Sequence, residues 1–199
     1  MTTNLLLLDL DGTVRRCKSD PAGFINSPLD QEIIPEAARA LALFKAAGWG
    51  CIGVTDQGGV AAGYKTLEAC IAEQVETMRL APQINLVLLC PDMEGQQCVV
   101  VGFRDGEQVA DTFTVPLLER LNSEVPKAKR LFIRSFRKPS CGMLLLAGRI
   151  AGDPDRENCL MVGDREEDRE AAISVGMNFL PADAWRAAVK VEAINQEGA

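Results

Sequence analysis

The 199-residue chain contains no histidine. That absence removes every Ser–His or Cys–His catalytic relay and every histidine-ligated zinc site. Catalysis must then run on carboxylates, Lys, Arg, Cys or hydroxyls. There is no paired CxxC either. The seven cysteines (Cys17, Cys51, Cys70, Cys90, Cys98, Cys141, Cys159) are odd in number and irregularly spaced. Such a set reads as reduced thiols that fill a core, as expected of a cytoplasmic protein. No apolar stretch approaches membrane-spanning length. The amino terminus lacks a basic segment and a cleavage site, and its four leucines are too few for a signal core. No repeat or low-complexity linker interrupts the chain. A net charge of −7, from 21 basic and 28 acidic residues, argues against nucleic acid as a partner. It also repels phosphate-rich ligands unless a metal or local Lys and Arg reverse the field.

What is present is 47% hydrophobic, enough for one globular domain with a sizeable core. The most informative stretch is Asp9-Leu-Asp11-Gly-Thr13, directly after Leu5–Leu8. A short apolar run closed by a turn reads as a strand buried on both faces. Side chains at i and i+2 point the same way, so Asp9 and Asp11 stand side by side at the strand's carboxyl end, where open α/β sheets bind ligands. Gly12 lets the backbone turn sharply and approach a ligand. Two aligned carboxylates can divide nucleophilic attack from proton transfer and can attract a hard divalent cation. Alone, the pentapeptide reads equally as two solvated Asp at a turn.

Downstream the pattern alternates. Helices are expected at Pro35–Ala47, Lys65–Arg79, 142–151, 165–175 and Ala182–Ile194. Further strands are expected at Gly50–Val54, Ile84–Leu89, Cys159–Val162 and Met177–Leu180. This alternation predicts an α/β fold, Rossmann-like, with a mostly parallel sheet and helices on both faces. Two extended runs, Cys98–Arg104 and Gln108–Thr114, meet at Asp105-Gly106 and predict a β-hairpin at about residues 97–114.

Three other segments arrive at the same sheet edge. Thr55 ends the strand Gly50–Val54, and Gln57-Gly58-Gly59 after it suits a tight oxyanion-holding loop; alone, Thr55 is a turn residue. Arg137-Lys138-Pro139 precedes a helix, where two cations are unfavourable unless an anion is held there; a solvated pair is the alternative. Asp164 follows the strand Cys159–Val162, with Asp168 one helical turn further on; the plain alternative is a capped helix with a charged face.

In this order the segments resemble the four motifs of the haloacid dehalogenase (HAD) superfamily of phosphohydrolases, across residues 9 to 168. The resemblance implies that Asp9 is the nucleophile that forms an aspartyl-phosphate and Asp11 the general acid/base. Thr55 and Lys138 would bind the transferring phosphoryl group. Gly12, Thr13, Asp56, Gln57 and Arg137 would lie on the substrate side. Mg²⁺ would be held by Asp9, the Asp11 carbonyl and Asp164, with Asp168 in support. Arg137-Lys138-Pro139 with Gly142-Met143-Leu144, and Val162-Gly163-Asp164 through Asp168, resemble subfamily IIIA more closely. That branch holds heptose-bisphosphate and histidinol phosphatases and polynucleotide 3′-phosphatases, and lacks a large cap domain. Only about 40 residues separate the first two motifs here, too few for such a cap.

The departures are informative. Cys90-Pro91 resembles the start of that branch's Cys/His zinc loop, but Asp92 stands where a His is expected and the later paired Cys are missing, so no zinc is expected. The second motif reads Thr55-Asp56-Gln57 rather than Thr-Asn-Gln, and the Arg usual in the following loop is absent around Ala61-Ala62. An insertion at about 91–130 carries the hairpin, expected either to lie beside the cleft as a partial lid or dimer contact through Phe103, Arg104 and Phe113, or to be a decorative insertion pointing into solvent. The expected protein is a single-domain, Mg²⁺-dependent phosphomonoesterase for a small phosphorylated metabolite such as a sugar phosphate, a monomer or homodimer. The alternatives are a polynucleotide 3′-phosphatase, a phosphotransferase, or an inactive phosphate-binding scaffold.

Overall fold

Four consecutive leucines begin the sheet. The structure, a computed structural model, describes residues 4–117 and 133–187. Strand β1 (Leu5–Leu8) pairs in parallel with β4 (Gly50–Asp56) on one side and β8 (Cys159–Gly163) on the other. Leu5 and Leu7 point into one apolar cluster, Leu6 and Leu8 into another, and all four are at most 1% exposed. A strand can be apolar throughout only when both its faces are covered. Each such leucine stabilises the fold by roughly 1.5–3 kcal/mol, so truncating one to Ala costs about 2–5 kcal/mol.

The sheet has seven strands in the order β7-β6-β5-β4-β1-β8-β9, completed by β5 (Ile84–Cys90), β6 (Gln97–Arg104), β7 (Glu107–Thr114) and β9 (Asn178–Pro181). Strands β5, β4, β1, β8 and β9 run parallel. Helices α1 (Pro35–Ala46), α2 (Leu67–Leu80), α3 (Gly142–Ile150) and α4 (Glu166–Ser174) connect them, and α5 is described over 182–187. Pro35 at the start of α1 supplies a fixed φ where no amide is needed, and Thr66 caps α2 by accepting from the Ala69 amide at 3.1 Å. The sequence-predicted remainder of the last helix, and the part of the insertion from 118 on, lie outside the described residues. No helix among the described residues is long and apolar enough to cross a membrane.

Two findings depart from expectation. A small antiparallel pair, β2 (Arg15–Cys17) with β3 (Gln31–Ile33), follows the Asp11 turn; its three-residue strands are too short to show a period. The hairpin forms, but it extends the sheet rather than covering the cleft. Strand β6 runs antiparallel to β5 with Leu86 opposite Gly102 and Leu89 opposite Val99. Its tip, with Phe103 and Arg104, therefore lies at the amino end of β5, the edge opposite to Asp9. That geometry excludes the tip as a lid over this site. Phe113 returns towards the catalytic edge, but it packs partly buried against the core.

Candidate active site

Parallel pairing brings the ends of β1, β4 and β8 to one edge, and the side chains there meet. The Asp9 amide donates to the Val162 carbonyl at 2.9 Å, which continues the β1–β8 ladder and fixes the residue. Lys138 arrives from the loop before α3, through a cis peptide bond to Pro139. Its Nζ donates to Asp9 Oδ1 at 2.7 Å, to Asp168 Oδ1 at 2.6 Å and to the Val54 carbonyl at 3.3 Å. Asp9, Lys138 and Asp168 are all buried. Asp168 lies in the first turn of α4 and accepts the Arg165 amide at 3.1 Å, so a helix amino terminus helps hold its charge.

Two glycines make this closeness feasible. Gly12 adopts φ +85°, and a Cβ there would overlap Asp164 Oδ2. A Cβ on Gly163 would overlap the Asp168 carboxylate. One oxygen each from Asp9, Asp164 and Asp168 lies within 4.8 Å of the other two. A hard-oxygen set of this spacing suits Mg²⁺, which takes a few carboxylates and keeps waters. Burial pushes the Asp9 carboxyl up to about 7; Lys138 pulls it down, while Asp168 and Asp11 push it up. Burial also raises Asp164 against the pull of Arg165. For Lys138 burial disfavours the charge, but Asp9, Asp168 and Asp56 outweigh it and raise the ammonium above its ordinary value.

Asp11 faces other partners. Arg15, itself fully buried, grips the carboxylate with Nε at 2.9 Å and Nη2 at 3.3 Å. Gln57 Nε2 donates to Asp11 Oδ2 at 2.7 Å and to Thr55 Oγ1 at 2.9 Å, and the Thr55 hydroxyl donates to Asp11 Oδ2 at 3.4 Å. Desolvation pushes the Asp11 carboxyl up, but Arg15, with Gln57, outweighs it and holds it below the usual carboxylate range. The network continues inward. Arg15 Nη1 reaches Gln31 Oε1 and the Glu73 carbonyl, at 3.2 and 3.3 Å, and also Thr77 Oγ1. Lys65 Nζ donates to Glu73 Oε2 at 2.6 Å, to Gln57 Oε1 at 3.2 Å and to the Ile25 carbonyl at 3.0 Å.

Of the other residues expected here, Asp56 Oδ1 accepts the Lys138 amide at 3.4 Å, and burial raises its carboxyl. Arg137 Nη1 is shielded from solvent and has no hydrogen-bond partner. It lies with the Met93 sulfur beside Gly58, where a Cβ would stand 3.3 Å from the nitrogen. Thr13, expected on the substrate side, is fully buried and its hydroxyl is unpartnered, so its side chain belongs to the inside of the turn. The loop after β5 is closed by Asp92, whose carboxylate accepts the Gln96 and Gln97 amides, both at 2.9 Å. Burial pushes the neighbouring Cys90 thiol up to about 12. Sequence reasoning missed Arg15, Lys65 and Glu73. The only trace of them is the acid–base spacing Asp11/Arg15.

The seven-stranded, mostly parallel sheet with its helices is a Rossmann-like, HAD-like fold. Residues 135–181 match the HAD-hydrolase-like family model. The chain is similar to the D-glycero-D-manno-heptose-1,7-bisphosphate 7-phosphatase of Thermosynechococcus vestitus, with 24% identity over 86% of this chain and 74% of the relative. Among solved structures, the D,D-heptose 1,7-bisphosphate phosphatase of B. bronchiseptica, complexed with magnesium and phosphate, superposes with a TM-score of 0.62 at 21% identity, over 98% of this chain and 99% of that one. The corresponding enzyme of Burkholderia thailandensis gives 0.53 at 16% identity, over 96% and 99%. All three relatives are phosphatases.

Proposed function

We propose that the chain is a cytoplasmic, Mg²⁺-dependent phosphomonoesterase that works through an aspartyl-phosphate on Asp9 and acts on a small phosphorylated metabolite. The observation that carries this reading is the buried Asp9, held at 2.7 Å by Lys138 within a cluster of three carboxylates. Asp9 and Asp168 are buried against one ammonium while Asp164 is exposed beside them, so the cluster is open to a cation from the solvent side. Asp9, Asp164 and Asp168 would hold Mg²⁺, which when bound neutralises their charge and that of the incoming phosphoryl group.

The remaining chemistry belongs to the chain. An Asp9 carboxylate oxygen bonds to phosphorus as the bond to the substrate's alcohol oxygen breaks, and Asp11, as general acid, gives that leaving oxygen a proton. Lys138 lies where the charge on the transferring phosphoryl oxygens must be balanced. In the second step water bonds to phosphorus, the bond to the Asp9 oxygen breaks to release phosphate and the free carboxylate, and Asp11, now ionised, takes the water's proton. Arg15 and Gln57 aim Asp11 and favour its ionised form, the one the second step needs. Arg137, with an unpaired donor beside Gly58 and Met93, orients the part of the substrate that lies beyond the phosphate. The relatives' heptose bisphosphate makes sugar phosphates the first class to screen.

The test is hydrolysis of an aryl phosphate with and without Mg²⁺, with mass spectrometry of the quenched protein. Mg²⁺-dependent turnover and a phosphate adduct on Asp9, enriched in Asp11→Asn, are expected. Turnover that survives Asp9→Asn overturns the covalent route.

A further inference from the structure

We propose that Arg186 is a positioning residue for this centre, resting on the phosphatase reading above. It lies 174 positions from Gly12 in sequence and arrives on α5, directly after the last strand of the sheet. Ala182 and Trp185 of that helix are buried in the same cluster as Leu8, Leu10 and Val14, so the helix is anchored against the catalytic strand. One turn of helix then aims Arg186 at the turn that follows Asp11. Its Nη1 donates to the Gly12 carbonyl and to the Thr13 carbonyl, both at 2.7 Å. Nη2 donates to Asp183 Oδ1 at 2.6 Å. The guanidinium is largely covered, with 15% side-chain exposure, whereas Asp183 is 97% exposed and contributes little to holding it.

Two adjacent peptide planes are thereby fixed from outside the turn. The turn is closed from within by the Gly12 amide on the Arg15 carbonyl and by three amides on the Leu10 carbonyl, those of Thr13, Val14 and Arg15. Asp164 leans on the Cα of Gly12 so closely that even a methyl group would displace it. Any drift of the Gly12–Thr13 segment therefore moves Asp164, one of the three clustered carboxylates, and Asp11, whose peptide precedes Gly12. Charge-assisted bonds to two carbonyls are among the stronger tethers a side chain can offer. Hydrogen-bond partners of metal ligands typically set metal affinity by about 10–100-fold, and Arg186 acts one step further out, through Gly12 on Asp164, so the lower end of that range is expected.

The sign of the effect separates this role from plain electrostatics. Removing a cation near a cation site strengthens metal binding if charge alone matters. Positioning demands that binding weaken. Mg²⁺ titrated calorimetrically into Arg186→Ala should bind about tenfold more weakly than into wild type. On an aryl phosphate, kcat should fall about tenfold with KM within about twofold. Arg186→Lys, which keeps the charge and one donor, should recover part of both losses. Asp183→Asn should leave both near wild type. Mg²⁺ affinity that is unchanged or tighter in a folded Arg186→Ala overturns the proposal, as does a loss confined to thermal stability. If wild type hydrolyses no phosphate ester, the phosphatase reading fails, while the Mg²⁺ titration still decides on Arg186.

Discussion

Asp9 and Asp11 leave the same strand two residues apart and end in opposite electrostatic company. Asp9 shares its surroundings with Asp164 and Asp168 against a single ammonium, Lys138. Asp11 joins a network in which two carboxylates, its own and that of Glu73, face two cations, Arg15 and Lys65. The second network is balanced in charge and braced by Gln57, Gln31 and Thr77, with Glu73 Oε1 left without a hydrogen-bond partner. The first is left with negative charge to spare. Asp164, the exposed member, opens that surplus to solvent, where in the proposed function a cation and a phosphoryl group would be received. The balanced half is the scaffold that aims Asp11.

The largest expected effect comes from removing Asp9. Asp9→Asn should lower aryl phosphate turnover by on the order of a thousandfold or more, as loss of a nucleophile does. It should at the same time leave the metal-free melting temperature equal or higher, because a carboxylate has left an overcharged cluster. A clear drop in melting temperature would show that the cluster is a structural ion pair after all. Lys138→Ala is the complementary break. It strands the carboxylates without a counter-charge and should cost about 3–5 kcal/mol in metal-free protein, partly restored by Mg²⁺, with turnover down by about a hundredfold or more. Arg137→Ala, which removes an unpaired donor, should act chiefly on KM. Equal losses in kcat from both variants would contradict this division.

The hairpin offers a smaller and sharper contrast. With its tip at the far edge of the sheet, Phe103→Ser should leave kcat/KM within about twofold of wild type, as is usual for surface substitutions. A larger change, measured on the same aryl phosphate, would mean that the tip meets the site through a second copy of the chain.

The difference between the two halves also explains what the sequence could disclose. The strand Leu5–Leu8, the Asp9/Asp11 spacing, the placement of Asp164 at a strand end and that of Lys138 just before a helix follow from local runs and turns. A strand delivers its terminal residues to the edge whatever lies elsewhere. The balanced network has no such local signature. Arg15 stands beside Arg16 in Val14-Arg15-Arg16 and looks like surface charge; its burial depends on Gln31, Glu73 and Thr77, which come from β3 and α2. Glu73, Gln74 and Thr77 occupy what reads as the polar face of a helix, yet all three are buried. Asp105-Gly106 announced the hairpin, but a turn signal carries no information about which sheet edge it reaches. Register against β5 decided that. Arg186 acts across almost the whole chain, beyond any spacing rule.

The last prediction tests whether the balanced half is a net stabiliser through its charges. Burial is the largest influence on the Glu73 carboxyl and raises it above its ordinary 4.5, while the Lys65 hydrogen bond and charge pull it down without cancelling the rise. A group whose folded pKa exceeds its unfolded one binds its proton more tightly when folded. Its stabilising contribution is full below the unfolded value and is lost as pH rises through the folded value. Glu73→Gln keeps an acceptor for Lys65 and removes the titration, and every other group is common to both proteins. The stability advantage of wild type over Glu73→Gln, measured by urea unfolding, should therefore be greatest at about pH 4 and shrink towards pH 7. An ion pair that stabilised through its charge would give the opposite slope. An advantage that grows towards neutrality would show that Lys65 more than offsets the burial of Glu73, and that the network braces Asp11 through charge rather than through its shape and hydrogen bonds.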